Sequence, residues 1–94
     1  MDNKSKEIMD ILQEECAEVI VAVSKISRFG LDNVKPGKPK TNREHLAEEL
    51  GDLQAMIDLC IKYNIVDLDQ VVDHANNKIA KLEQCLTFSR IEHD

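Results

Sequence analysis

Aromatic residues are nearly missing from this chain: Phe29, Tyr63 and Phe88 are all it has, and there is no tryptophan. A core built without them must come from Ile, Leu, Val, Ala and Met, which make up most of the 43% hydrophobic residues. Positive charge is also short, with 12 Lys and Arg against 18 Asp and Glu and a net charge of −6. That balance argues against a nucleic acid polymer as partner, because such affinity comes mainly from Lys and Arg neutralising phosphates. A small anion screened by metal ions stays open. The opening Met1-Asp2-Asn3-Lys4-Ser5-Lys6-Glu7 leads into an interrupted apolar pattern, not a signal-peptide core. No apolar run approaches the roughly 20 residues of a membrane span. Cys16, Cys60 and Cys85 are odd in number and form no C-x-x-C pair. They read as three reduced, structural thiols, each a small hydrophobe near an apolar stripe, in a soluble cytoplasmic protein. Repeats, low-complexity segments and strand patterns are lacking too. The 94 residues read as one domain spanning 1–94, small enough that oligomerisation is expected to add stability.

What is present is helical periodicity. Ile8, Ile11, Leu12, Cys16, Val19, Val23 and Ile26 recur at three- and four-residue steps, which predicts an amphipathic helix from about Ser5 to Ser27. Gly30 is placed to close it, with Lys25 and Arg28 in the last turn. Residues 30–40 hold two prolines, two glycines and three lysines, the composition of a loop. Its lysines read as solvated charges or as a mobile basic flap over an anionic ligand. Thr41-Asn42-Arg43-Glu44 matches a capping box, and Leu46, Leu50, Leu53, Met56, Ile57, Cys60 and Ile61 form the stripe of a second helix. Asp67 with Gln70 caps a third, whose seam of Leu68, Val72, Ala75, Ile79, Leu82 and Leu86 is close to a heptad. That seam is expected to pack on the first two helices or on another subunit.

Acidic residues break both of the first two stripes. Around the first helix Glu15 falls inside the apolar arc, Glu18 at its edge and Glu14 outside. Glu49, Asp52 and Glu48 repeat that arrangement on the second. An ionised carboxylate facing a core is costly unless it is paired or coordinates a metal. Glu15-x-x-Glu18 and Glu49-x-x-Asp52 each set two carboxylates on neighbouring turns of one face, so two antiparallel helices could present four to a common point. The alternative is that these acids face solvent and pair with lysines. Four hard oxygen ligands suit Mg²⁺ or Mn²⁺ and not zinc. A di-iron bundle would need Glu-x-x-His pairs, and none exists. On the third helix Asn76, Asn77, Lys78 and Lys81 form either an exposed polar face or a phosphate contact. His45, His74 and His93 stand apart and read as surface residues.

Glu14-Glu15-Cys16-Ala17-Glu18 and Glu49-Leu50-Gly51-Asp52 match, in order, the E-E-x-x-E and E-x-x-D halves of a family signature. The chain resembles the MazG-like, all-α nucleoside triphosphate pyrophosphohydrolases. Residues 24–32 (SKISRFGLD), Pro36-Gly37, Thr41-Asn42, Lys78-x-x-Lys81 and Phe88-Ser89 look like their small, often phage-borne members. The resemblance implies an all-α bundle of three main helices per chain, completed by oligomerisation into a homodimer or homotetramer. It implies hydrolysis of a (deoxy)nucleoside triphosphate to the monophosphate and pyrophosphate, with Mg²⁺ required and Mn²⁺ also fitting. By motif position Glu15, Glu18, Glu49 and Asp52 would hold the metal. Glu48 is preferred as base or further ligand, with Glu14 the other candidate. Lys78 and Lys81, with Asn77 beside them, would hold phosphates; Arg28 is another candidate, and Phe29 could stack on a base. A related dUTP or phosphoribosyl-ATP pyrophosphatase is an alternative, the latter ranked lower because of the long 30–40 loop. The competing class is a non-catalytic helical interaction module.

Overall fold

The computed structural model describes residues 1–85. They form three helices, α1 (Asn3–Phe29), α2 (Asn42–Lys62) and α3 (Leu68–Cys85), with no strand among the described residues beyond the isolated bridge Val34–Thr41. This is the expected all-α class.

Local chemistry explains where each helix starts and stops. Asp2 caps α1 through Oδ1, which accepts from the Ser5 N–H at 2.7 Å. Gly30, at φ 91°, ends it and donates its N–H to the Ile26 carbonyl at 2.8 Å. At α2 the capping box is complete: Glu44 N–H donates to Thr41 Oγ1, and Thr41 N–H to Glu44 Oε1, both at 3.1 Å. Its other end is a Schellman turn on Asn64, a left-handed residue at φ 59°. Asn64 N–H donates to the Ile61 carbonyl and Ile65 N–H to that of Cys60, while the Ile65 side chain packs back on the cluster of Ile8, Met56 and Cys60. Asp67 Oδ2 accepts from the Gln70 N–H at 3.1 Å and starts α3.

The 30–40 connection folds α2 back along α1 as an antiparallel hairpin. Ile8, Met56 and Cys60 are buried at its open end, with Met9, Ile11, Leu12, Leu59 and Ile65 against them, and Ala22 is fully buried further along. The packed face of α1 therefore runs through Ile8, Leu12, Glu15, Val19, Ala22 and Ile26, one residue per turn. Cys16 and Val23, placed on that face by periodicity, are exposed, as is Leu50 on α2. Only Cys60 is a buried thiol; Cys16 and Cys85 are exposed.

Helix α3 buries none of its residues and makes no extended contact with α1 or α2. Leu68, Val72 and Ile79 are each about half exposed. The described chain is one helix layer, 44 × 41 × 15 Å, with a radius of gyration of 16.6 Å. A compact domain of this length would have about 12 Å. Among the described residues the α3 seam is not packed along the first two helices, one of its two expected partners, and its last position, Leu86, lies outside the described residues.

Candidate metal centre and the cationic cleft beside it

Antiparallel pairing sets the middle of α1 against the first half of α2, and this is where the acids meet. Carboxylate oxygens of Glu15, Glu49 and Asp52 lie within 4.8 Å of one another. Glu49 is buried at 9% exposure, Glu15 is half-buried and Asp52 is exposed. The Glu15 carboxyl is pushed above the usual carboxylate range, first by desolvation and then by the charges of Asp52, Glu49, Glu18 and Glu14. A cation between these oxygens would offset both the repulsion and the lost hydration. All-oxygen donors of this kind suit a hard divalent ion such as Mg²⁺ or Mn²⁺. The residues present therefore fit a metal.

Glu18 and Glu14 are both exposed and outside the three-residue group, though close enough to act on Glu15. Glu48 is exposed and bonded to Lys40, which holds its carboxyl below the usual range by hydrogen bond first and charge second. His45, expected at the surface, is half-buried instead, with Nε2 3.2 Å from Glu49 Oε1. Its spacing, four residues before Glu49, was the available signal.

Next to the carboxylates lies a cleft of about 760 Å³ between the last turn of α1, the 30–40 loop and the start of α2. Lys25, Arg28, Lys35, Lys38, Lys40 and His45 line it, with Phe29. The Arg28 guanidinium sits over the Phe29 ring, 4.9 Å from its centroid. The base of the loop is tied to α2. Asn42 N–H donates to the Asn33 carbonyl at 3.1 Å, Arg43 N–H to that of Leu31 at 2.8 Å, and the Asn42 side chain to that of Gly30 at 3.0 Å. The Arg43 guanidinium also grips both oxygens of Asp32, at 3.2 and 3.3 Å.

Of the residues expected to bind phosphate, only Arg28 lines this cleft. Asn77, Lys78 and Lys81 are exposed on α3 and do not line it, and among the described residues neither lysine forms an ion pair with the carboxylates. The loop lysines, read as solvated charges or as a basic flap over an anionic ligand, share this cleft with Lys25, to which the sequence assigns only a place in the last turn of α1. His74 is exposed, while Phe88, Ser89 and His93 lie outside the described residues.

A helical hairpin that gathers carboxylates beside a cationic cleft is suited to an anionic ligand handled with metal ions. The sequence profile of the MazG nucleotide pyrophosphohydrolase domain matches residues 3–85, both acidic half-motifs and all three helices included. The chain belongs to that family, whose members hydrolyse phosphoanhydride bonds. No curated protein and no solved structure matches it. No helix of the described residues is long and apolar enough to cross a membrane.

Proposed function

We propose that this chain is a Mg²⁺-dependent nucleoside triphosphate pyrophosphohydrolase, with Mn²⁺ able to substitute, that serves nucleotide-pool control. It would convert a (d)NTP and water to the (d)NMP and pyrophosphate. The observation that carries the reading is the meeting of Glu15, from the first half-motif, with Glu49 and Asp52, from the second. These three would hold the metal, with Glu18 the fourth ligand from the next turn of α1. A bound divalent ion supplies charge neutralisation of the phosphate oxygens and a lower pKa for water.

The chain's own groups have the rest of the work. Phosphoryl transfer depends mostly on positioning and charge stabilisation. The oxygen of a water bonds to one of the two phosphorus atoms of the α–β anhydride, the bridging P–O bond breaks with its electron pair on the leaving group, pyrophosphate or the monophosphate according to which phosphorus is attacked, and a base takes the water's proton. Glu48 is that base in this reading. Bonded to Lys40 its carboxylate is a weak one, so it acts once Lys40 turns to substrate. Glu14, exposed on α1, is the other candidate.

The assembly proposed is a homodimer or homotetramer. Its support is the apolar surface left uncovered: Leu68, Val72 and Ile79 on α3, and Cys16, Ile20 and Val23 along the outer face of α1. Across such a boundary Asn77, Lys78 and Lys81 would reach a neighbour's substrate. The same uncovered face favours the second reading, a non-catalytic interaction module.

Pyrophosphate release from each common NTP and dNTP with Mg²⁺, for the wild type and for Glu49→Gln, decides between them. Release that the substitution abolishes supports the enzyme and names its substrate. Absence of release from every nucleotide moves the interaction module ahead.

A further inference from the structure

We infer that the cationic cleft is an oligophosphate subsite, gripping the terminal phosphates of the ligand independently of the carboxylate cluster. This rests on the pyrophosphohydrolase reading for the identity of the ligand, but not for its charge.

The cleft concentrates five of the chain's 12 lysines and arginines in a molecule of net charge −6. Among the described residues, Lys25, Arg28, Lys35 and Lys38 have no carboxylate within ion-pair distance, and only Lys40 is neutralised, by Glu48. Solvated lysines need no common wall, yet here three from the loop and one from α1 face one cavity together with Arg28. Such a gathering of like charge is unfavourable until an anion enters it.

The base of the loop, Gly30 to Asn33, is fixed to the start of α2 by the bonds of Asn42 and Arg43, Val34 bridges to Thr41, and the turn between Lys35 and Lys38 is closed by its own bond from Lys38 N–H to the Lys35 carbonyl, so the loop that carries these lysines is anchored at both ends. Its volume of about 760 Å³ falls in the range of small-molecule sites and exceeds what a single phosphate needs. One wall touches the carboxylate cluster directly, His45 against Glu49, and a second reaches its neighbour in sequence, Lys40 bonding Glu48. One extended ligand can therefore lie with phosphates among the lysines and its reacting end at Glu15, Glu49 and Asp52. Lys40 is the residue that would change partner, leaving Glu48 for a phosphate oxygen.

The test uses the full chain and inorganic tripolyphosphate in EDTA, followed by calorimetric titration. Wild type, the double variant Lys35→Ala/Lys38→Ala and Glu49→Gln are compared, each with its circular dichroism and melting curve. Lys35 and Lys38 are exposed, so the fold should survive their loss. The expected result is binding by the wild type, weakened about tenfold per lysine removed, weakened further by salt, and unchanged or tighter in Glu49→Gln. Failure of the wild type to bind, equal binding by the double variant, or loss only in Glu49→Gln overturns the subsite. Hydrolysis of nucleotides with Mg²⁺, measured on the same preparations, separates the two ideas. Tripolyphosphate binding with no hydrolysis of any nucleotide would sink the pyrophosphohydrolase reading and leave the subsite standing. Hydrolysis with an unchanged KM in the double variant would do the reverse.

Discussion

His45 Nε2 lies 3.2 Å from Glu49 Oε1, one helical turn away, and the two residues belong to different halves of the site. His45 lines the cationic cleft, while Glu49 is the buried member of the carboxylate group. Groups that hold a metal-ligating carboxylate in place typically contribute ten- to a hundredfold to metal affinity. His45→Ala is expected to weaken Mn²⁺ binding by about tenfold, read by calorimetry, with the helical content unchanged. Unaltered affinity would show that burial alone positions Glu49.

Clustered carboxylates predict a protein that is stabilised by the ion it binds. At a hundred times its Kd, a ligand specific for the folded state adds about 2.7 kcal/mol. In a domain of this size that amounts to about 10–20 °C in Tm. Mg²⁺ or Mn²⁺ should therefore raise the wild-type melting temperature, and Glu49→Gln should remove most of the rise. Without metal the same substitution should raise Tm slightly, since it relieves the repulsion that Glu15 and Asp52 now exert on Glu49. A wild type indifferent to both ions would count against a metal centre.

Features set by neighbouring residues were legible from the sequence, and features set by distant ones were not. The three helices, the Thr41 and Asp67 caps and the stop at Gly30 follow from side chains within one turn of the backbone they satisfy. Glu15 and Glu49 are legible inside their stripes because an acid on an apolar face stands out. The face itself is shifted from the periodic one: Ala22 is small and adds little to an apolar pattern, so periodicity points to Cys16 and Val23, which are exposed. Nothing local signals the closure of the 30–40 loop, because Leu31, Asp32 and Asn33 find their partners at Asn42 and Arg43. The sequence therefore leaves its lysines as solvated charges or a basic flap, without showing the wall they share with Lys25 and Arg28. Likewise the α3 heptad shows that a seam exists without showing whether its own hairpin or another chain covers it.

The helix caps predict a particular acid limb. Asp2 is held below its ordinary range by the backbone N–H of Ser5 first and its side chain second, and Glu44 by the backbone N–H of Thr41 first and its hydroxyl second. A depressed folded pKa means stability that is fully present above the unfolded value and lost as pH falls through the folded one. Thermal stability should therefore decline below about pH 4, where these carboxylates ordinarily titrate. Asp2→Asn keeps an N-cap acceptor but removes the charge. Its Tm should stay near wild type at neutral pH and fall less steeply in acid, as melts across that range would show.

Ile79 is 56% exposed and Leu68 52%, on a helix that lies beside the hairpin and not over it. A single layer of helices cannot bury both faces of its own side chains, and burial of each such residue contributes about 1.5–3 kcal/mol. If another copy covers α3, a charge at its centre removes that contribution and adds a desolvation cost. Ile79→Glu should then shift the sedimenting species from an oligomer to the single-chain mass and lower Tm. It should also cut nucleotide hydrolysis, because Lys78 and Lys81 would no longer reach a neighbour's site. A wild type that sediments as a monomer at every concentration would remove the assembly, and with it the phosphate role proposed for α3. A monomeric variant with full activity would keep the assembly and leave the carboxylates and the cleft of one chain as a sufficient active site.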